Sequence, residues 1–395
     1  MIDIQIILLA IGVLLFIGVL LSKLSSRIGV PTLIVFLLLG LFFNGSALIT
    51  PTVESYIIIQ YVSVFALIII MYSGGLDTDT RKMRPVAAKG ISLATVGVLL
   101  TAIITGLFIH YILGIDIILS LLIGSIISST DAAAVFSIFR SNKIKLKDNL
   151  SELLELESAS NDPMAYILTT SFLYLMIHPS TSILGVVLTF FQSLILGGIF
   201  GFVSGKLSTK LVENVNLSVK GLYPVLLVAL AVLTFAVPEL IGGNGFLAVY
   251  IAGLFVGNAK PPYKDDELSF FDGLAWLMQV IMFLLLGLFI SPGDVFETGI
   301  VSLIIAATLI LISRPIAVFV SLIPFKVRLK NKIFLSWTGI KGAVPIVFAT
   351  YPLVAGIPHA FMIFNVVFFI TIISVVLQGG TVQYVAKKLG LLVYK

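Results

Sequence analysis

The sequence predicts an all-α polytopic membrane protein with about thirteen transmembrane helices, and three observations predict it. Of the 395 residues 59% are hydrophobic and only 11% charged, with a mean hydropathy of +1.17; a soluble domain carries about 25% charged residues. Apolar runs recur along the whole length, most of them near the roughly 20 helical residues that cross a hydrocarbon core. Lys and Arg fall almost only in alternate connections between those runs.

The runs cover approximately 4–22, 31–47, 55–72, 86–112, 116–139, 149–177, 182–211, 219–238, 245–258, 268–290, 298–323, 332–353 and 358–386. The first is preceded by Asp3 and followed by no small-residue cleavage site before Lys23, so it reads as a span and not a removable signal. The ninth is short, as expected of a tilted or bent helix. Basic residues mark every second connection, from Lys23 and Arg27 through the 81–89, 140–147, 206–220, 260–264 and 326–332 segments to Lys387, Lys388 and Lys395. The intervening connections hold acids such as Glu54, Asp116, Glu239, Asp294 and Glu297 but no Lys or Arg. The positive-inside rule then gives a multi-pass inner-membrane protein with its N-terminus outside and its C-terminus cytoplasmic. The charge of +5 belongs to this topology, not to a nucleic-acid surface. Cysteine is absent, and His110, His178 and His359 are scattered, so neither a thiolate site nor a histidine metal cluster is expected. No resident cofactor is called for.

All but two of the 24 basic residues lie at the cytoplasmic side of this map; the exceptions are Arg314 and Lys341. Among the acids, Asp131, Glu157 and Asp162 fall within spans five and six. A charge at membrane depth costs about 3 kcal/mol on insertion scales, so each needs a partner or a task.

Two spans look discontinuous. Span five is interrupted by Ser128, Ser129, Thr130 and Asp131, and span twelve by Gly339, Gly342 and Pro345 around Lys341. Glycine tolerates unwinding and proline cannot complete the helix ladder. Such backbone persists in a membrane only where protein or a cavity surrounds it. Their spacing, seven spans apart, fits inverted six-helix repeats joined by a seventh span, with a binding site where the broken helices cross. Asp131 is placed to compensate the positive half-helix ends, and Lys341 the negative ones.

Span six holds ELLELESASNDPMAY. Ser158 and Asp162 share one helix face, as do Glu157 and Asn161, whereas Glu157 and Asp162 point about 140° apart. The two acids therefore serve different partners. Glu157 is matched with Arg314 as a buried ion pair. Asp162 needs no fixed base, and Asn161, Ser158 and Thr130 supply nearby oxygens suited to a hard monovalent cation.

SSTDAAAVFSI followed by ESASNDPMAY resembles the two central helices of the monovalent cation/proton antiporter superfamily. GNGFLAVYIAGLFVGN, FLLLGLFISP, SRPIAVF and WTGIKGAVPIVFA resemble further blocks of its NhaP-like branch, especially the cell-volume-regulation potassium/proton antiporters, in the family's order. The resemblance implies exchange of K+ or Na+ for H+ and a homodimer. It also implies a single transmembrane unit over 1–395: a six-helix core from about 86–177 and 298–386 moving as an elevator against a dimerisation unit made of the other helices. It carries Asp162 over as the cation and proton carboxylate surrounded by Asn161, Ser158 and Thr130, and Glu157 as the acid paired with Arg314. One departure is Lys341, where the family commonly has arginine; charge is kept and bidentate bonding lost. A cation channel is the first competing class, but no selectivity-filter sequence appears. An intramembrane aspartyl enzyme would use Asp131 with Asp162, or Asp77 with Asp79; the latter two read better as solvated charges in a basic loop.

Overall fold

Within a bilayer only a helix or a closed barrel satisfies its own backbone, and helices make up most of the described residues of the computed structural model. It describes residues 32–43, 53–131, 145–215, 217–259, 264–288, 290 and 298–393, with scattered positions between 5 and 20. The second half of the expected fifth span, 132–139, lies outside the described residues, as does part of the first.

The helices are α1 (Thr32–Phe43), α2 (Val53–Asp77), the short α3 (Thr80–Met83), α4 (Ala87–Leu113), α5 (Ile117–Ile126), α6 (Leu150–Ile177) and α7 (Ile183–Asn214). They continue with α8 (Leu222–Glu239), α9 (Gly245–Asn258), α10 (Lys264–Leu288), α11 (Gly299–Ser321), α12 (Leu329–Trp337), α13 (Ala343–Val354) and α14 (Ala360–Lys388). Among the described residues seven helices are long and apolar enough to cross a membrane, namely most of α2 and α10 together with α4, α7, α8, α11 and α14; α5, α9 and α13 are shorter apolar helices. The 28-residue α6 is long enough, but Glu152, Glu155, Glu157 and Asp162 lower its hydropathy. The chain is an all-α polytopic membrane protein apart from one small feature that hydropathy did not announce. Lys145–Leu146 (β1) pairs antiparallel with Leu392–Val393 (β2), tying the segment before α6 to the segment after α14.

Three of the long helices contain a π-helical segment: Leu93–Gly97 in α4, Leu309–Ser313 in α11 and Val375–Gly379 in α14. The break expected around Lys341 is real but shorter than the sequence implied. The chain leaves helix only between α12 and α13, and Pro345 sits in the first turn of α13, where the missing N–H breaks no bond. Pro163 likewise lies inside an unbroken α6.

Close helix approach in a membrane relies on small residues, and α9 shows why. Gly197, Gly201 and Gly205 recur every four residues along α7 and face it; a Cβ on Gly201 would stand 2.8 Å from Ile251 Cβ and 2.9 Å from Ala248 Cα. Elsewhere on α9, Gly253 meets α2, where a Cβ would lie 2.6 Å from the Tyr72 carbonyl. Helix α9 is thus held between α2 and α7, while α10 packs on α1 and α2. Helices α4, α5 and α6 pack in succession, and α14 packs on α11 and α13.

Two glycines of α7 provide a matched test. Gly201→Val should lower the melting temperature of the detergent-purified protein by an amount corresponding to about 1–3 kcal/mol of overpacking. Gly198→Val, whose Cβ meets nothing within 4 Å, should leave it nearly unchanged. Equal losses would mean that α7 and α9 are not in this contact.

Candidate functional site

Helix α5 ends at Ile126, and residues 127–131 run on out of helical conformation to meet the break between α12 and α13. Asp131 N–H donates to the Ile340 carbonyl at 2.7 Å, so the two irregular segments hydrogen-bond to each other. Lys341 Nζ donates to the carbonyls of Ser129 (2.8 Å) and Ser128 (3.3 Å), at the C-terminal end of α5. Asp131 lies at the opposite kind of end: a Cβ on Gly342, the residue before α13, would collide with its carboxylate. The remaining backbone is served from α14. Lys341 N–H donates to Ser374 Oγ at 2.9 Å, and Gln378 Nε2 to the Trp337 carbonyl at 2.8 Å.

Helix α6 passes beside this junction. Asn161 Nδ2 donates to Thr130 Oγ1 at 2.5 Å, and Thr130 Oγ1 lies 3.3 Å from Ser158 Oγ. Asp162 is 7% exposed, and its Oδ1 and Asn161 Oδ1 are buried oxygens without a partner in hydrogen-bond geometry, with the Ser129 hydroxyl beside the carboxylate. Oxygens left unsatisfied in this way are the donor set expected around a bare monovalent cation, or around a proton on the carboxylate. Thr130, Asp131, Ser158 and Asp162 all line a cavity of about 370 Å³. Among the described residues no group of three or more His, Cys, Asp or Glu is arranged to hold a metal ion.

Glu157 faces away from the cavity. Arg314 Nη2 donates to Glu157 Oε1, both residues being 1% exposed, and it reaches the Leu335 carbonyl at 3.5 Å. Arg314 directly follows the π-helical segment of α11, and Gly339 gives the guanidinium room, since a Cβ there would lie 2.7 Å from Arg314 Nε. The eight residues singled out in the sequence therefore occupy one junction, with Asp162 on the cavity wall and the Glu157–Arg314 pair behind it.

The sequence reading missed residues on the cavity wall and, beyond Asp162, on α6. Asp77, read there as a loop charge, is the last residue of α2 and lines the cavity with Glu155 of α6 and Asp272 of α10. All three lie toward helix ends that lead into basic connections; a carboxylate within reach of a predicted helix end was the available signal. Asp79, by contrast, caps α3, accepting from Arg81 N–H at 3.0 Å and pairing with Lys82 at 3.2 Å, and the hydrogen bond from Lys82 above all holds its carboxyl below the ordinary range. Beyond Asp162, Tyr166 packs against Phe246, Phe348 and Tyr351, with ring centroids 4.9, 5.8 and 5.6 Å away. The signal for Tyr166 was its place one turn after Asp162 on the same helix face.

The family model described as "Sodium/hydrogen exchanger, transmembrane" matches residues 12–388. The chain belongs to the sodium/hydrogen exchanger family. Membership makes it a transporter, not an enzyme. It is 42% identical over 387 residues to the K(+)/H(+) antiporter NhaP of Alkalimonas amylolytica, covering 98% of this chain and 67% of that protein. It is 37% identical over 381 residues to the K(+)/H(+) antiporter NhaP2 of Shewanella oneidensis, covering 95% and 66%. The chain thus spans about two-thirds of the length of these relatives. In fold it is similar to the sodium proton antiporter MjNhaP1 of Methanocaldococcus jannaschii, with a TM-score of 0.86 at 24% identity over 98% of this chain and 99% of that one. In this exchanger-family chain two fully buried, opposite charges, Glu157 and Arg314, are in contact, and that contact can be tested. Neutralising Glu157 or Arg314 alone should cost about 3–5 kcal/mol, because the partner's charge is left buried. Glu157→Gln combined with Arg314→Met should recover part of the loss in a thermal-melt cycle. Strictly additive losses would mean that the side chains do not interact.

Proposed function

We propose that the protein exchanges a monovalent cation, K+ or Na+, for H+ across the inner membrane, and that Asp162 carries both. The observation behind this reading is the Asp162 carboxylate: buried, on the cavity wall, with one oxygen unpartnered. Ser158, Thr130 and Asn161 are its oxygen-bearing neighbours and would share the cation. Glu157 and Arg314 serve as a structural pair, and Asp131 and Lys341 as compensation for the half-helix ends. Carboxylates of Asp77, Glu155 and Asp272 along the same cavity would raise the local cation concentration on the way in. Two of the relatives have names that specify potassium, which favours K+ as the cargo.

The full architecture in this proposal is thirteen spans in inverted repeats with crossing broken helices, the N-terminus outside and the basic connections cytoplasmic. The protein works as a homodimer, its core moving past the glycine-packed α2, α7 and α9 as an elevator. Close packing along Gly201 and Gly253 supports a rigid fixed unit, against which α4–α6 and α11–α14 can shift together.

Asp162→Asn should abolish cation-driven proton movement in proteoliposomes loaded with a pH dye, while the purified variant keeps wild-type size and melting behaviour. Substantial flux through the folded variant would sink the assignment.

Stoichiometry follows from the same charges. If Glu157 stays paired and Asp131 and Lys341 stay fixed, Asp162 alone changes occupancy. A single carboxylate holding one proton or one monovalent cation is neutral in either case, so voltage has nothing to act on. The Asn161–Asp162 dyad supports this reading, because electrogenic members of the superfamily that the chain resembles have two aspartates there. Sodium-driven exchange in vesicles clamped with potassium and valinomycin should show no voltage dependence. A reversal potential that moves with voltage would refute one-for-one exchange.

A further inference from the structure

The turn between α8 and α9 is built to grip α6 beside the carboxylate. It is anchored on the side of the fixed helices: Asn244 N–H donates to the Ser193 carbonyl of α7 at 3.0 Å, and Gly243 N–H to the Pro238 carbonyl at 2.8 Å, with Gly242 in the left-handed region at φ 78°. Two polar side chains of this turn each do two things. Asn244 Oδ1 caps α9 by accepting from Leu247 N–H at 3.0 Å, and its Nδ2 reaches across to the Pro163 carbonyl at 2.8 Å. Glu239 Oε1 accepts from Gly245 N–H at 2.8 Å, and its Oε2 accepts from Tyr166 Oη at 3.2 Å. One end of each side chain holds the start of α9; the other holds α6. The two points gripped on α6 are the residue after Asp162 and the residue one turn further on.

These bonds lie further along α6 than Asp162, on the other side from Glu155, where the rings of Tyr166, Phe246, Phe348 and Tyr351 pack together. The placement of Glu239 and Asn244 is selective in a way that ordinary packing is not, because both bonds cross from the anchored turn to the helix that carries the exchange carboxylate. Movement of α6 toward the outer face must break both, while the cap bonds within the turn can persist.

We propose that Glu239 and Asn244 form an outer latch, positioning residues that hold α6 in the arrangement closed to the outer face and so set how often Asp162 becomes accessible from outside. The proposal rests on the alternating-access reading given above, with the basic connections cytoplasmic. A hydrogen bond to a charged carboxylate is strong enough that deleting the Tyr166–Glu239 bond should shift a two-state equilibrium about tenfold or more.

The chain has no cysteine, so a single thiol reports access without background. Val344, at the start of α13 on the cavity wall, is the position to label. Val344→Cys in the full chain would be treated with a membrane-impermeant thiol reagent in right-side-out and inside-out vesicles. Tyr166→Phe, which keeps the ring packing, should raise the labelling rate from the outer face about tenfold and lower it from the cytoplasmic face. Glu239→Gln, which leaves Tyr166 only a weaker, uncharged partner, should act in the same direction to a smaller extent, and combined with Tyr166→Phe it should add little, because the phenylalanine has no hydroxyl to bond. A merely structural role would lower the melting temperature without changing sidedness. Unchanged outer labelling in Tyr166→Phe and Glu239→Gln, with outer labelling measurable in the parent, overturns the latch. Labelling from the cytoplasmic face only, in every variant and at every cation concentration and pH, overturns alternating access itself and the latch with it.

Discussion

Every unusual feature of this protein depends on one constraint: peptide groups released from a helix inside a membrane must find partners within the protein. Residues 127–131 and 338–342 release such groups at the same place, and each segment supplies part of what the other lacks. Asp131 N–H meets the Ile340 carbonyl, Lys341 Nζ meets the carbonyls of Ser128 and Ser129, and α14 serves Lys341 N–H and the Trp337 carbonyl through Ser374 and Gln378. The lysine matters as a flexible donor here. Its ammonium reaches two carbonyls of a helix end without needing the planar fork of an arginine.

That arrangement leaves the charges of the junction with unequal freedom. Lys341 is held by carbonyls, Arg314 by Glu157, and the Asp131 carboxylate lies at the start of α13. Asp162 faces a cavity with an unsatisfied oxygen. An exchange carboxylate needs this inequality, since a group already committed to a fixed base could not trade a proton for a cation at similar free energy. The broken helices act as scaffolding that engages the neighbouring charges and leaves the Asp162 carboxylate on the cavity wall.

Much of this was legible in the sequence, for a physical reason. In a chain with 11% charged residues, a charge in an apolar run stands out, as Asp131, Glu157, Asp162, Arg314 and Lys341 do. The shortness of α9 and the interruptions near Ser128 and Gly339 were visible in the same way. What stayed hidden was identity of partners across long stretches of chain. Tyr166 reads as one more apolar aromatic, and Glu239 as one more acid at a span end; only folding brings them to 3.2 Å. Asp77 was misjudged because hydropathy ended span three too early: the helix continues to residue 77. The β1–β2 pairing, two residues on each side and nearly 250 positions apart, has too little pattern to be seen at all.

The π-helical segment Leu309–Ser313 has a consequence of its own. A π turn accommodates one additional residue in the ladder, which rotates everything after it by about 100° relative to an unbroken α-helix. Arg314 is the first residue to follow, and it points at Glu157. The direction of that side chain is therefore set by an insertion and not by hydrophobic periodicity. Had the helix stayed regular, the same arginine would be turned by about 100° away from Glu157. A helical irregularity of a single residue thus works as an angular adjustment, converting a side chain that would oppose insertion into one that anchors the interior.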